Sequence, residues 1–427
     1  MSEFSLKYGK KEIRFKLNKK NVLGVLDLPE SRKKVKNLTS SIKRALRKPI
    51  GCVSLIELLR EKKPKNPVLI LEDITRPNPD YPLIIFTVIS EMKLAGIKKV
   101  KFVIAYGTHR RQTEEENIKL YGDIQKFGEI IHHNCDDRNF LVSIGELSTG
   151  TELVINKAVA ESDFVISLGN IEPHSFAGYT GGRKSILPGV SSRETISRNH
   201  SKVILPGVGM GVIKNNPIHL EMLEAAEILA RTRPFFILNF IRNTKKEILK
   251  IVAGDHKQAF MEGVKFAEKI YTIRVKKEAD VVIVSNGGYP KDINLYQAQK
   301  SISATHSIVK KGGTIILIAE CSEGIGQPIF ERWLKNYSLK EILEKRENEI
   351  EAEGHRAYLT ARILSRCDVL VISSIPPEKI NKLKFQSAKD IKSAIEIVKR
   401  KYGSDFSSYI IPNGSAVLPV LDHYTQI

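Results

Sequence analysis

The hydrophobic pattern of this chain repeats one theme: a short β-branched run, a cluster of Gly, Pro, Asp or Asn, then a stretch of helical period. Six segments follow it: "PVLILEDITRPNP", "VKFVIAYGTHRR", "SDFVISLGNIEPH", "ADVVIVSNGGYP", "GTIILIAECSEG" and "CDVLVISSIPP". Apolar strands alternating with helices predict an α/β fold of mostly parallel sheets covered on both faces, with functional side chains just beyond the carboxyl ends of the strands. "YPLIIFTVISEMKLAG" reads as a helix closing at Gly96, and "NPIHLEMLEAAEILA" as one opening at an Asn-Pro. "INLYQAQKSISATHSIVKKGG" reads as a helix that stops at the Gly-Gly, with lysines in its last turn. Two segments depart from the alternation: "FSLKYGKKEIRFKL", turning at Gly9, and "PFFILNFIRNTKKEILKIVAGD", turning at 243–246, both predict paired strands.

At 427 residues the chain exceeds what one hydrophobic core holds, so two domains are expected. A charged stretch near 268–278 separates an amino-terminal α/β domain, 1–270, from a carboxyl-terminal α/β domain, 275–410. The tail, 411–427, is expected to pack back on the first domain, and the active site to lie in the cleft between the two. Hydrophobic content of 42% with 27% charged residues suits a globular protein, and no apolar run approaches the length of a membrane helix. The protein therefore reads as cytoplasmic, with no membrane partner. Four scattered cysteines without a CxxC pair argue against a zinc ribbon or a disulfide framework. Residues 1–66 hold 19 Lys or Arg against 6 Asp or Glu, which leaves an excess of only 7 out of the net charge of +20 for the rest. No aromatic-interleaved basic stripe accompanies that charge, so it reads as a solvated surface and not as a nucleic-acid site.

The side chains gathered after the strands carry the chemistry. Asp73, Thr75 and Arg76 follow the first; His109, Arg110 and Arg111 the second; His174, Arg183 and Lys184 the third; Tyr296, Gln297 and Lys300 the fourth. Two histidines, a carboxylate and several cations suit proton transfer on an anionic substrate. In "PHSFAGYTGGRKSILPG" the glycines Gly181 and Gly182 let backbone N–H groups approach an anion, although such a loop serves equally as a flexible crossover. "SSRETISRNHSK" reads as a helix capped by Ser192, with His200 near its end as a metal ligand or as a residue set against the helix dipole. No second His or Cys lies three or four positions away, so a metal there needs most of its ligands from another source.

Taken in order, "DITRPNP", "YGTHRRQTEEE", "EPHSFAGYTGGRKSILPG", "RETISRNHS", "AGD", "NGGYPKDINLYQAQK" and "ARIL" resemble the nickel-dependent lactate racemase (LarA) family along essentially the whole chain. The resemblance implies a racemase or epimerase of a 2-hydroxy acid that uses a nickel pincer nucleotide, a pyridinium mononucleotide carrying two thiocarboxylate groups. It implies that Lys184 bonds covalently to this cofactor, that His200 supplies the fourth nickel ligand, and that His109 and His174 exchange the substrate's hydroxyl proton. Asp73, Arg76, Tyr296, Gly181 and Gly182 correspond to cofactor-binding positions, and Arg76, Gln297, Lys300 and His355 to substrate-binding ones. Cofactor-biosynthesis proteins are the implied loading partners. Two departures bear on the substrate: "GHRAYLT" places His355 at or near the position where lactate-racemising members carry Trp, and Ser175 stands where such members carry an aromatic residue. Both make the pocket less apolar, so lactate or a more polar relative such as malate or a sugar acid is expected. The alternatives are a pyridoxal-phosphate type enzyme that forms a Schiff base at Lys184 and a non-catalytic nucleotide-binding member of the family.

Overall fold

The computed structural model describes residues 1–28, 33–76, 78–351 and 353–422. The chain forms two compact units. The first contains Glu30–His200 and Asn215–Ile270; the second contains Met1–Pro29, Ser201–Lys214 and Tyr271–Ile427.

The first unit is built on a six-stranded sheet in the order Ile248–Asp255, Phe235–Arg242, Phe164–Asn170, Pro67–Glu72, Val100–Ala105, Gly128–His132. Only the first pair is antiparallel, the expected hairpin; every other neighbour is parallel. Phe164–Asn170 is buried along its whole length, which is why "FVISLG" carries no polar alternation. The helix Tyr81–Leu94 lays Ile84, Ile85 and Val88 on Leu69, Leu71, Phe102 and Ile166 of the sheet. Full burial of each such side chain contributes roughly 1.5–3 kcal/mol. As expected, Asn216 caps the helix Pro217–Thr232, accepting from the N–H groups of Ile218 and His219.

The second unit holds another six-stranded sheet, all parallel, in the order Gln386–Ser387, Asp368–Ile372, Val309–Ile318, Ala279–Ser285, Ser408–Ile411, Val22–Val25. The amino-terminal hairpin pairs Ser2–Tyr8 with Lys11–Leu17 around Gly9.

Three expectations need correction. The helix expected to reach the Gly-Gly at 312–313 ends at Thr305, and Val309–Ile318 is a strand that contains both lysines and both glycines. The glycines are there because the strand bends: register shifts beside Ala279, Gly312 has φ +75°, and a Cβ on Gly313 would strike Val309 and the Asp280 carbonyl. The unit boundaries also differ from a cut near 270. Val22–Val25 completes the second sheet, so the first 29 residues belong with the carboxyl-terminal part and the basic segment is divided between the units. The described part of the tail adds Leu418–Leu421 to Thr272–Val275, within the second unit and not the first; 423–427 lie outside the described residues. Cys135, Cys321 and Cys367 are buried and Cys52 partly so, all as free thiols. Among the described residues no helix is long and apolar enough to cross a membrane.

Candidate functional site

Three adjacent parallel strands of the first unit, Val100–Ala105, Pro67–Glu72 and Phe164–Asn170, bring Asp73, His109 and the loop of His174 and Lys184 to one edge of the sheet. Asp73 follows the central strand and is buried. Its Oδ1 accepts from the N–H (3.1 Å) and hydroxyl (2.6 Å) of Thr75, a turn encoded in "DIT". Its Oδ2 lies 2.6 Å from Nδ1 of His109. Burial works against the charged form of Asp73, but the His109 charge and hydrogen bond, Thr75 and Arg76 outweigh it and hold the carboxyl below its usual range. The carboxylate accepts from Nδ1 of this half-exposed ring, so whenever the imidazole is neutral its lone pair is on Nε2, the geometry of a proton acceptor.

The turn that delivers His109 is set by Gly107 at φ +56°, whose N–H donates to the Gly189 carbonyl at 3.0 Å. Gln112, which drew no attention in "THRRQ", is buried and accepts from the Ile74 N–H at 2.6 Å, so it ties the His109 loop to the Asp73 loop. Arg76 makes no side-chain hydrogen bond among the described residues, and its charge lowers both Glu72 and Asp73. Its donors are those an external anion would engage. Glu72 itself, at the end of the central strand, is pushed up to about 7 by burial, which Arg76 and the Asn170 hydrogen bonds only partly oppose.

His174 sits on the short hairpin of Pro173–His174 with Ala177–Tyr179. Its Nδ1 accepts from the Ala177 N–H at 3.3 Å, and its Nε2 is 3.1 Å from Nζ of the half-buried Lys184. Phe176, which sequence reasoning passed over in favour of Ser175, stands edge-on between two imidazoles: 4.5 Å from the His174 ring and 4.8 Å from the His200 ring. The Lys184 ammonium position lies 5.9 Å from the same ring.

His200 is buried in the helix Arg193–Ser201, capped as expected by the Ser192 hydroxyl on the Thr195 N–H. Its Nδ1 lies 3.2 Å from the Asn199 side-chain oxygen. That oxygen is the one facing His200 because the Asn199 amide nitrogen donates to Glu221 at 2.7 Å. A chain Glu221–Asn199–His200 therefore supports a proton on Nδ1, the kind of hydrogen bond that orients metal-bound histidines. Among the described residues no three His, Cys, Asp or Glu side chains converge as a metal cage. A single imidazole is too few donors to hold a metal alone, and fits only an ion that brings its other ligands with it.

Gly181 and Gly182 are also required by the fold of the first unit itself. The Gly182 N–H donates to the Asn239 side chain at 2.9 Å, so it does not cradle an anion. A Cβ on Gly182 would meet Phe260, and one on Gly181 would meet Ile171 and the Asn170 carbonyl, and both glycines have positive φ. They are glycines for backbone conformation and packing. Arg183 likewise turns away from the loop surface and is fully buried.

Tyr296, Gln297, Lys300 and His355 belong to the second unit. The first three lie on the helix Leu295–Thr305, and His355, buried, on Gly354–Leu364. The Arg356 guanidinium stacks 4.3 Å from the Tyr296 ring and donates to the Tyr296 carbonyl at 3.0 Å. Burial raises the Tyr296 hydroxyl, with Arg356 opposing. Trp333, distant in sequence, packs against Gly354 beside His355.

Comparison with known proteins is consistent with this geometry. Residues 8–211 match the family described as lactate racemase N-terminal domain, and residues 274–419 the lactate racemase C-terminal domain. The chain is 35% identical over 432 residues to a lactate racemase of Thermoanaerobacterium thermosaccharolyticum, covering 98% of this chain and 99% of that one. A lactate racemase of Lactiplantibacillus plantarum is 35% identical over 390 residues, covering 88% and 90%. The solved lactate racemase apoprotein of T. thermosaccharolyticum superposes with a TM-score of 0.88 at 34% identity, over 98% of this chain and all of that one. A Thermotoga maritima protein at 19% identity, TM-score 0.66, over 90% and 98%, shares the fold.

Proposed function

The chain belongs to the lactate racemase family, and from that premise we propose that it is a racemase of a 2-hydroxy acid, lactate or a more polar relative, working with a nickel pincer nucleotide tethered to Lys184. The observation that supports this reading best is the pair of differently held imidazoles at one sheet edge: His109 on buried Asp73, His174 beside Lys184.

When bound, the nucleotide supplies an acceptor and donor of hydride. The chain supplies the rest. His109 Nε2 takes the hydroxyl proton from one enantiomer, and Asp73 stabilises the imidazolium that results. His174 serves the other enantiomer, whose hydroxyl is presented from a different direction. Two bases are needed because inversion at carbon changes where the proton must go. In the first unit Arg76 would bind the carboxylate; Gln297, Lys300 and His355 of the second unit keep the substrate-binding roles that the family resemblance gives them. His200 would supply an imidazole ligand to the nickel, and Tyr296 of the second unit keeps the cofactor-binding role that the family resemblance gives it.

The test uses protein loaded with cofactor by co-expression of cofactor-biosynthesis proteins. L- and D-forms of lactate, malate and sugar acids are incubated separately, and the enantiomer ratio is followed by chiral chromatography. Approach to a racemic mixture from both sides, with nickel bound and a mass increment on the Lys184 peptide, is expected. A loaded protein that racemises none of the panel would overturn the assignment, and a borohydride-trapped pyridoxyl group on Lys184 would replace it with Schiff-base chemistry.

A further inference from the structure

We infer that Arg183 is a positioning residue: a buried guanidinium bracket that fixes the loop carrying His174 and Lys184, with His219 as its required acceptor. Arg183 and Lys184 are neighbours in sequence with opposite surroundings. Lys184 is half-buried at the His174 imidazole, whereas Arg183 is wholly buried and makes four hydrogen bonds inside the protein. Its Nη1 donates to the carbonyls of Tyr179 (2.7 Å) and Gly181 (3.2 Å), and its Nη2 to that of Ala177 (2.6 Å). These are alternate residues of one extended segment, so one planar fork holds its whole length.

The Nε donor bonds to Nδ1 of His219 at 3.0 Å, and the guanidinium carbon lies 4.2 Å from the Phe260 ring centroid. None of these partners is a carboxylate. Arg183 is thus matched by carbonyl dipoles, an imidazole lone pair and an aromatic face. Burial lowers its pKa only to about 9, so it stays charged at neutral pH, while burial and the Arg183 charge drive His219 down to about 2 and keep Nδ1 an acceptor.

The bracket reaches the reacting groups through short links. Ala177, whose carbonyl Arg183 holds, donates its N–H to His174 Nδ1. Asn216, which caps the helix bearing His219, donates to the Phe176 carbonyl at 2.8 Å. A lysine at 183 would keep the charge and lose the fork; no single ammonium can reach three carbonyls in line and the His219 nitrogen.

This inference rests on the reading of the loop given above only for its effect on turnover, so the experiment separates the two. Amide exchange is measured on the whole apoprotein for Arg183→Lys, His219→Asn, which offers a side-chain oxygen as acceptor, and His219→Leu, which does not. In Arg183→Lys and His219→Leu the Thr180, Gly182 and Lys184 amides are expected to exchange about tenfold faster or more, with the Phe164–Asn170 strand unchanged; His219→Asn is expected to retain protection. In loaded enzyme, kcat should fall about tenfold to a hundredfold in the first two, with KM for the hydroxy acid nearly constant and the Lys184 mass increment retained. Equal protection in His219→Asn and His219→Leu, or native loop protection in Arg183→Lys, overturns the bracket. Absence of any mass increment on Lys184 in the unsubstituted protein overturns the cofactor reading and leaves the exchange result standing.

Discussion

Each unit carries a six-stranded, largely parallel sheet, and their carboxyl edges differ in what covers them. In the first unit the strand ends present His109 half-exposed on a buried carboxylate and His174 beside an amine. In the second, the tip of the amino-terminal hairpin closes over the corresponding edge. The Gly9 N–H donates to Asp292 Oδ2 at 2.7 Å, the Gly9 carbonyl accepts from Tyr289 at 2.8 Å, and the Ser285 hydroxyl at the strand end donates to the Lys7 carbonyl at 2.6 Å. Tyr8, enclosed there, is pushed up to about 12 by burial, with Glu320, Cys321 and Asp292 adding to it. The strand-end rule for parallel sheets therefore finds two candidate edges. What separates them is whether the titratable groups there face other protein groups or retain an accessible lone pair.

The largest expected effect comes from breaking the first edge at its base. His109→Ala should lower racemisation by about 10²–10⁴-fold while the Lys184 peptide keeps its mass increment. Asp73→Asn should cost less, since the imidazole remains and only its tautomer and charge stabilisation are lost. Steady-state rates in both directions check the pair: if Asp73→Asn exceeds His109→Ala in damage, Asp73 does more than orient the ring.

Next come the glycines of the two edges. Gly182 has φ +51°, and a Cβ would sit 2.9 Å from Phe260, so Gly182→Ala should destabilise the protein by about 2–3 kcal/mol through strain and overpacking. Gly9 has φ +56°, but the group its Cβ would meet is the Glu320 side chain, which can swing aside. Gly9→Ala should cost about 1 kcal/mol. Urea denaturation orders the two, and a larger loss at Gly9 would show that the closed edge is the more tightly built.

The order of strands and helices in each unit was legible because burial on both faces writes continuous apolar runs, and the strand-end clusters followed from that. The boundary was not legible. Pairing of Val22–Val25 with Ser408–Ile411 joins segments nearly 400 residues apart, and nothing in either run specifies a partner. The helix end at Thr305 was missed because Gly-Gly is read as a stop signal, although here it relieves crowding in a bent strand. At the site, His109, His174, Lys184 and His200 were visible as residue types beside turns. Arg183 was grouped with the cations expected around an anionic substrate, because sequence adjacency to Lys184 says nothing about which way each side chain points.

Glu72 sharpens the comparison through pH. Its folded pKa of about 7 lies above the ordinary 4.5, so the native state holds a proton that the unfolded chain releases first. That favours the fold below the unfolded value, and the advantage is lost as pH rises through 7. Glu72→Gln should flatten this slope and gain about 2 kcal/mol relative to the native protein between pH 5 and 8. Denaturation midpoints across that range check it, and an unchanged slope would place the pH dependence elsewhere.

The smallest effect belongs to the closed edge. Lys10 is exposed, and its ammonium lies 5.2 Å from the Tyr289 ring centroid, beside the point where Tyr289 bonds to Gly9. A cation over an aromatic face at an exposed site contributes about 0.5–1 kcal/mol, so Lys10→Ala should lower stability by no more than that. Turnover should stay within about twofold of native, because on this reading the hairpin tip is a plug and takes no part in proton transfer or anion binding. Lys10→Arg should restore the lost stability, since a guanidinium stacks on the same ring. A kcat loss of tenfold in Lys10→Ala with normal stability would mean that the hairpin tip takes part in turnover and is not merely a plug over the strand ends.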